Sequence, residues 1–263
     1  MLLLLPPSER KAPAPRRGRP TDLHALTLPS LAAARGQVRD ALIALGDDAS
    51  ARATLGVSDG LAAEVAANPR LQTAPARPAM ELFTGVLYEA LDWAGLDAST
   101  RRRASTRLLV ASALYGVLAP GDRAAGYRLS MDVDLPGVGP LAAFWRGALS
   151  EVLQERAEDG GVLVDCRSAT YAAAWRPRGA VAGGGVAVRV LREHEGRRTV
   201  VSHDAKHTRG LVARHLLCGL AAHRGRDPRD AEDVAHRLAD RWTVELGPAP
   251  RGAGLRPLDV VLT

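Results

Sequence analysis

Two lysines, Lys11 and Lys206, stand against 33 arginines (35 Lys+Arg minus two) in this chain of 263 residues. A lysine is a compact point charge whose pKa falls readily on burial, whereas a guanidinium is a planar fork that stays protonated. Where arginine is the default cation, a retained lysine points to a task that arginine does badly. Both lysines lie in motif-like stretches. Lys11 closes Pro6-Pro7-Ser8-Glu9-Arg10-Lys11, which includes a Ser-x-x-Lys spacing. On a helix that spacing brings an amine near a hydroxyl, the arrangement of a serine nucleophile. The prolines favour a basic loop instead. Lys206 lies in Ser202-His203-Asp204-Ala205-Lys206-His207-Thr208-Arg209-Gly210, with Arg214 further on. A helix starting near Ala205 projects Lys206, Arg209 and Arg214 from its first turns, and helix N-termini attract anions. This is the best phosphate-binding pattern in the chain.

His203 and His207 are four apart with an acid after the first, as in some zinc sites. His203 is expected at a strand end and no third ligand is evident, so no metal is assigned. A further stretch, Ser112-Ala113-Leu114-Tyr115-Gly116-Val117-Leu118, sets one hydroxylated ring among aliphatics. Gly126-Tyr127-Arg128-Leu129 pairs a stacking ring with a guanidinium, which suits a base or a phosphate as well as plain core packing. Leu55-Gly56-Val57-Ser58-Asp59-Gly60 resembles the turn of a helix-hairpin-helix element, and is equally a capped glycine turn. Cys166, beside Asp165 and Arg167, reads as a reactive thiol or as small buried filler.

The elements that must hold these residues follow from patterning. Leu2–Leu5 and Val162–Asp165 read as buried strands, and Ser8–Pro20 as a basic loop. Ser30 is expected to cap a helix running to Leu45. Ser58 or Asp59 caps a short helix through Ala67, and Pro69–Pro78 is a linker. Met80–Ala94, Ser99–Arg107, Phe144–Arg156 and Lys206–Leu220 read as helices. So does Pro228–Ala239, with Asp227 as its cap. Leu108–Leu118 is the most apolar run, and Arg128–Asp134 alternates like a strand. Gly183–Leu191 and Thr199–Ser202 form a hairpin about Glu195-Gly196. Arg241–Leu246 and Val260–Leu262 are closing strands. Strands and helices mix without a repeat or a long linker. The expectation is one α+β domain, residues 1–263, around a mixed central sheet with surrounding helices.

A net charge of +6 and a pI near 10.0 favour polyanionic partners, duplex DNA or a phosphorylated small molecule. Two cysteines without a CxxC pair imply a reduced compartment. Met1–Leu5 is too short for a signal peptide and no apolar run spans a bilayer, so a cytoplasmic, non-membrane protein is expected. Nothing in the sequence calls for a cofactor or fixes an oligomeric state.

Taken in order, several segments resemble the YaaA family of peroxide stress resistance proteins. They are Leu2-Leu3-Leu4-Leu5-Pro6-Pro7-Ser8-Glu9 with Lys11, Leu82-Phe83-Thr84-Gly85-Val86-Leu87-Tyr88, and Ala113–Leu118 with Pro120 and Asp122. Tyr127-Arg128-Leu129, Phe144-Trp145, Asp165–Tyr171, and Lys206 with Arg209-Gly210 follow. The resemblance spans residues 1 to about 215. It implies a single α+β domain with a deep basic cleft, the cantaloupe-like fold. It also implies duplex DNA binding and a cytoplasmic role in limiting free iron and oxidative DNA damage. By position, Ser8, Lys11, Tyr115, Tyr127, Arg128, Ser168, Tyr171, Lys206 and Arg209 line that cleft. The chain departs from the family at Val86, where an acid is usual, and at Ala119, where an arginine is usual.

The leading reading is a DNA-binding stress protein that holds phosphates rather than reading bases. The alternative is an enzyme on a nucleotide-like or other anionic small molecule, with Ser8, Lys11, Tyr115 or Lys206 as catalytic candidates. Lys11 or Lys206 would be the base or nucleophile, and Tyr115 or Tyr171 the acid. The DNA or phosphate contacts expected are Lys11, Tyr127, Arg128, Ser168, Tyr171, Lys206, Arg209 and Arg214. A third reading is a protein-interaction module with a basic face. Lys11 and Lys206 are expected to meet in one cleft.

Overall fold

The architecture is that of a computed structural model, which describes residues 1–200, 202–222, 225–250 and 254–262. Leu2–Leu5 (β1) has no polar side chain and every residue is buried, as a strand covered on both faces requires. It runs in the interior of the main sheet. On one side it pairs in parallel with Leu108–Ser112 (β2), Leu3 opposite Leu108 and Leu5 opposite Val110. Gly116–Leu118 (β3) turns back antiparallel on β2 and forms the edge. On the other side β1 pairs in parallel with Leu163–Asp165 (β4), Leu4 opposite Asp165.

β4 pairs in parallel with Val186–His194 (β5). Arg197–Val200 (β6) folds back on β5 through Glu195-Gly196, both at positive φ (49° and 72°), a two-residue hairpin turn. Thr243–Leu246 (β7) and Arg256–Leu262 (β8) complete the sheet, in the order β7-β8-β5-β4-β1-β2-β3 with β6 against β5. Parallel and antiparallel pairs coexist, so the fold is α+β, one domain around a mixed central sheet.

Helices cover it. Among them are Ala32–Leu45 (α1), Val86–Leu91 (α2), Ala98–Ala104 (α3), Leu141–Asp159 (α4), Ser202–Ala222 (α5) and Ala231–Ala239 (α6). α4 drives Trp145, Leu149 and Leu153 into the core. The Trp145 indole N–H donates to the Ala113 carbonyl at 2.7 Å, and its ring fills the space a side chain would need at Gly116. α5 lies against α2 because Gly210 has no Cβ; one built there would overlap the Leu87 carbonyl oxygen.

Four local expectations need correction. Ser30 does not cap α1; it sits in a 3₁₀ turn, Pro29–Leu31, that feeds the helix directly. Met80–Ala94 is not continuous. Phe83 leaves helical geometry to bridge with Lys11, and Gly85 at φ 100° restarts the chain as α2. Arg128–Asp134 is not a strand, since buried Asn68 captures the Arg128 backbone and holds an irregular loop. α6 is capped by Asp230, which accepts from the Asp233 N–H at 2.8 Å. Asp227 instead pairs with Arg107 at 2.7 Å and the Met1 amine at 2.9 Å. Among the described residues no helix is long and apolar enough to cross a membrane.

Candidate functional site

The C-terminal ends of β1 and β4 open into a cleft of about 760 Å³. Pro6–Lys11, following β1, forms its floor. Ser168 and Tyr171, following β4, form one wall, and Lys206 and Arg209 of α5 another. The Leu129–Asp134 loop, the start of α2 and the Thr54–Val57 turn close the rest. The two lysines, 195 positions apart, share this cleft. Among the described residues five cationic side chains (Arg10, Lys11, Arg128, Lys206, Arg209) and three carboxylates (Glu9, Asp132, Asp134) line it.

Each piece is held by a local device. Pro6 and Pro7 stop β1, and the Tyr88 hydroxyl donates to the Pro6 carbonyl at 2.7 Å, fixing where the chain leaves the sheet. Ser8 Oγ packs over Gly85, whose missing Cβ leaves room for it. The loop then zips onto residues 82–84, Ala12 N–H to Leu82 O at 2.8 Å and Thr84 N–H to Arg10 O at 3.2 Å. That zipper fixes Lys11. Its amine donates to the Ser8 carbonyl at 3.1 Å and the Glu9 carbonyl at 3.3 Å, and stands 4.4 Å from the Tyr127 ring centre. Desolvation lowers its pKa from 10.5 to about 7, and the nearby Arg128 charge adds to the shift.

Arg128 is fixed at both ends. Its backbone N–H and C=O bond the Asn68 side chain, each at 2.9 Å, and its guanidinium meets Glu64 at 3.3 Å and Glu9 at 3.7 Å. Beyond β4, Arg167 closes a buried bidentate pair with Asp165, at 2.9 and 2.7 Å. The same guanidinium donates to the Tyr171 carbonyl at 3.3 Å and the Trp175 carbonyl at 2.9 Å, clamping the Ser168–Trp175 segment. Ser168 begins the one-turn helix Ala169–Ala172, its own side chain making no capping bond. Burial raises the Tyr171 pKa, against a hydrogen bond with Ser130. Arg209 reaches the Val188 carbonyl through Nη2 at 3.4 Å, while its buried Nε has no partner.

The other residues singled out from the sequence lie elsewhere. Tyr115 is buried in the core and does not line the cleft, its hydroxyl donating to the Ala125 carbonyl at 3.1 Å. Tyr127 shares its hydroxyl with Ser112 Oγ at 2.7 Å, and its ring lines an adjoining hollow of about 550 Å³ rather than the cleft. Burial raises the pKa of both, Tyr115 to about 12. Arg214 is turned away, donating to the Leu91 and Asp92 carbonyls at 2.9 and 2.7 Å. α5 begins at Ser202, so His203 is helical rather than at a strand end, one turn from the exposed His207. Among the described residues no three potential metal ligands cluster. Cys166 is fully buried and its thiol is pushed up to about 12, so it is packing material.

Sequence reasoning did not single out Glu64, Asn68 or the Thr54–Val57 rim as parts of this site. Only the Leu55-Gly56-Val57 turn carried a signal, as the hairpin-like glycine motif.

Comparison with known proteins places the chain in a family. The family described as peroxide stress protein YaaA matches residues 1–230. A UPF0246 protein of Streptomyces coelicolor is 49% identical over 265 residues, covering 100% of this chain and 98% of the relative. One of Corynebacterium glutamicum is 39% identical over 238 residues, covering 89% of this chain and 90% of its own. One of Cereibacter sphaeroides is 36% identical over 241 residues, with 88% and 90% covered. A family match over residues 1–230 and 49% identity across the whole chain leave one assignment: the chain belongs to the peroxide stress protein YaaA family.

Proposed function

We propose that this protein is a cytoplasmic DNA-binding protein of the peroxide stress response, one that limits free iron and so oxidative damage to DNA. The observation that carries the DNA-binding part is the convergence of Lys11, Arg128, Lys206 and Arg209 on one cleft with a glycine turn, Leu55-Gly56-Val57, at its rim. Cations from three separate segments suit a phosphate backbone better than the single groove-reading helix of a base-specific motif. The exposed Arg16, Arg17 and Arg19 supply further charge outside the cleft. The stress role rests on the family.

The test is duplex retardation across a salt series. About six neutralised phosphates give a log–log slope near −5. Lys206→Glu with Arg209→Glu removes roughly two contacts and flattens the slope by about 2. Affinity that is unchanged between low and physiological salt refutes phosphate-led binding. Loaded on this result, a deletion strain carrying the double variant should survive peroxide less well and show more chelatable iron than one carrying the wild type.

A second reading, an enzyme on a nucleotide-like or other anionic small molecule, is favoured by one observation: the Lys11 amine titrates near neutrality beside Ser8. Saturable binding of a single nucleotide, without a salt-sensitive duplex shift, would favour it over the first.

A further inference from the structure

Lys11 is an amine without a counter-ion. The two carboxylates near it, Glu9 and Glu64, both turn to Arg128, at 3.7 and 3.3 Å, and no ion pair to Lys11 forms among the described residues. Its neighbours are the Ser8 and Glu9 carbonyls, the Tyr127 ring at 4.4 Å and the Phe83 ring at 5.9 Å. A neutral amine has two N–H bonds and one electron pair. Two carbonyl acceptors account for both N–H bonds, which leaves the pair free to point at a ligand. Lys11 also borders two spaces at once, the 760 Å³ cleft and the 550 Å³ hollow walled mainly by alanines, prolines and Tyr127, with Glu64 and Arg70 on its lining. A ligand in the cleft therefore has its anion end near Lys206 and Arg209 and can extend past the amine. A lysine kept only to hold phosphate would do better charged, and an arginine would serve.

We propose that Lys11 forms a Schiff base with an aldehyde or ketone borne on a phosphate ester that the cleft holds. The nitrogen electron pair makes the C–N bond as the carbonyl π pair moves onto oxygen. The carbinolamine loses that oxygen as water, taking the two nitrogen hydrogens, and C=N remains. No oxidant or reductant takes part. The lowered pKa keeps about half of the amine in its nucleophilic form near pH 7, against roughly one part in a few thousand for an unperturbed lysine. Desolvation, and after it the Arg128 charge, hold it there, while Glu64 and Glu9 oppose the shift. The inference rests on the anion-binding cleft of the proposed function. The same chemistry has two sources, the opened sugar of an abasic site in DNA and a free sugar phosphate.

The test is reductive trapping of the full chain with sodium cyanoborohydride near pH 7. Separate arms carry glyceraldehyde 3-phosphate, glyceraldehyde, and a duplex with one abasic site. Peptide mapping is decisive because the chain has only two lysines, and the Met1 amine is tied to Asp227 at 2.9 Å. The expected result is an adduct on Lys11 at least about tenfold above that on Lys206, in the duplex arm, the sugar-phosphate arm or both. The unphosphorylated aldehyde should trap roughly tenfold more slowly than glyceraldehyde 3-phosphate if that arm is the productive one. The arm that traps identifies the source. Lys11→Arg should abolish trapping while retaining a cooperative thermal transition. Lys206→Met keeps the Lys11 nucleophile and should lose most of the phosphate advantage, which holds the test open should Lys11→Arg fail to fold. An unmodified Lys11 in every arm, or equal modification of Lys206, overturns the proposal. Salt-sensitive duplex binding that persists without a trap overturns it alone and leaves the proposed function standing.

Discussion

At the scale of single residues, the side chains that matter most are charged groups held where charge is costly. Lys11 gives a pH signature. Its pKa falls from 10.5 in the unfolded chain to about 7 in the fold. Between those values the unfolded chain binds a proton that the folded chain does not, so folding stability rises with pH through that window. Below about pH 7 both states are protonated and the penalty stays constant. Thermal unfolding of wild type and Lys11→Met, followed from pH 6 to 10, should therefore show the wild type gaining on the variant above pH 7 and running parallel below it. A constant gap across the range would remove the buried-amine account. The Met1 amine also has a lowered pKa, mainly from burial, but it is common to both proteins and cancels in the difference.

Arg35 is the structural counterpart. It is fully buried on α1 and donates to five carbonyls, those of Leu23, Thr27, Leu28, Tyr115 and Val117. Burial lowers its pKa from 12.5 to about 10. Arg35→Met should cost about 3 kcal/mol or more by urea unfolding, because it orphans buried acceptors. Arg35→Lys should recover little, since one ammonium cannot span the fork. Arg214→Lys should likewise lower stability, by loss of its hold on the end of α2, and leave duplex affinity within about twofold, whereas Lys206→Glu should weaken binding.

At the scale of elements, the test is where a side chain has room. Gly210→Ala drives a methyl into the Leu87 carbonyl and should destabilise by about 2–3 kcal/mol while displacing Lys206 and Arg209. Gly147→Ala, on the open face of α4, should stabilise by up to about 1 kcal/mol. Opposite signs in chemical denaturation check both. Elements with a strong local signal were readable in advance: the all-leucine β1, the apolar β4, the Glu195-Gly196 turn and the long periodic helices α4 and α5. What the sequence concealed was decided at a distance. The alternation of Arg128–Asp134 imitates a strand, but Asn68, 60 residues away, takes its backbone bonds. Met80–Ala94 has the composition of one helix, and only the bridge to Lys11 explains the break at Phe83. Asp227 looks like a cap because nothing local announces Arg107, 120 positions off. The site divides likewise. Lys11 and Lys206 stood out by their rarity, while Glu64 and Asn68 are ordinary residues whose role exists only once the chain is folded.

At the scale of the whole molecule, the cleft is where the β1 and β4 ends meet α5, and no single segment of the chain contains it. Truncation should therefore remove function before it removes local structure. A chain ending after β5 retains Lys11, Arg128 and Tyr171 but loses Lys206 and Arg209. It should lose duplex retardation while keeping much of its far-ultraviolet circular dichroism; retained binding would remove Lys206 and Arg209 from the phosphate contacts. The pairing of β1 has a further consequence, for the timing of synthesis. Leu2–Leu5 emerges from the ribosome early, yet both of its neighbours come late, residues 108–112 and 163–165. At about 5–20 residues per second, a run of four leucines waits some 5–20 s for its first partner and longer for its second. During that interval an interior strand of the finished protein is an exposed, adhesive segment. The nascent chain is thus a natural client for a chaperone that binds short aliphatic peptides, until β4 has been made.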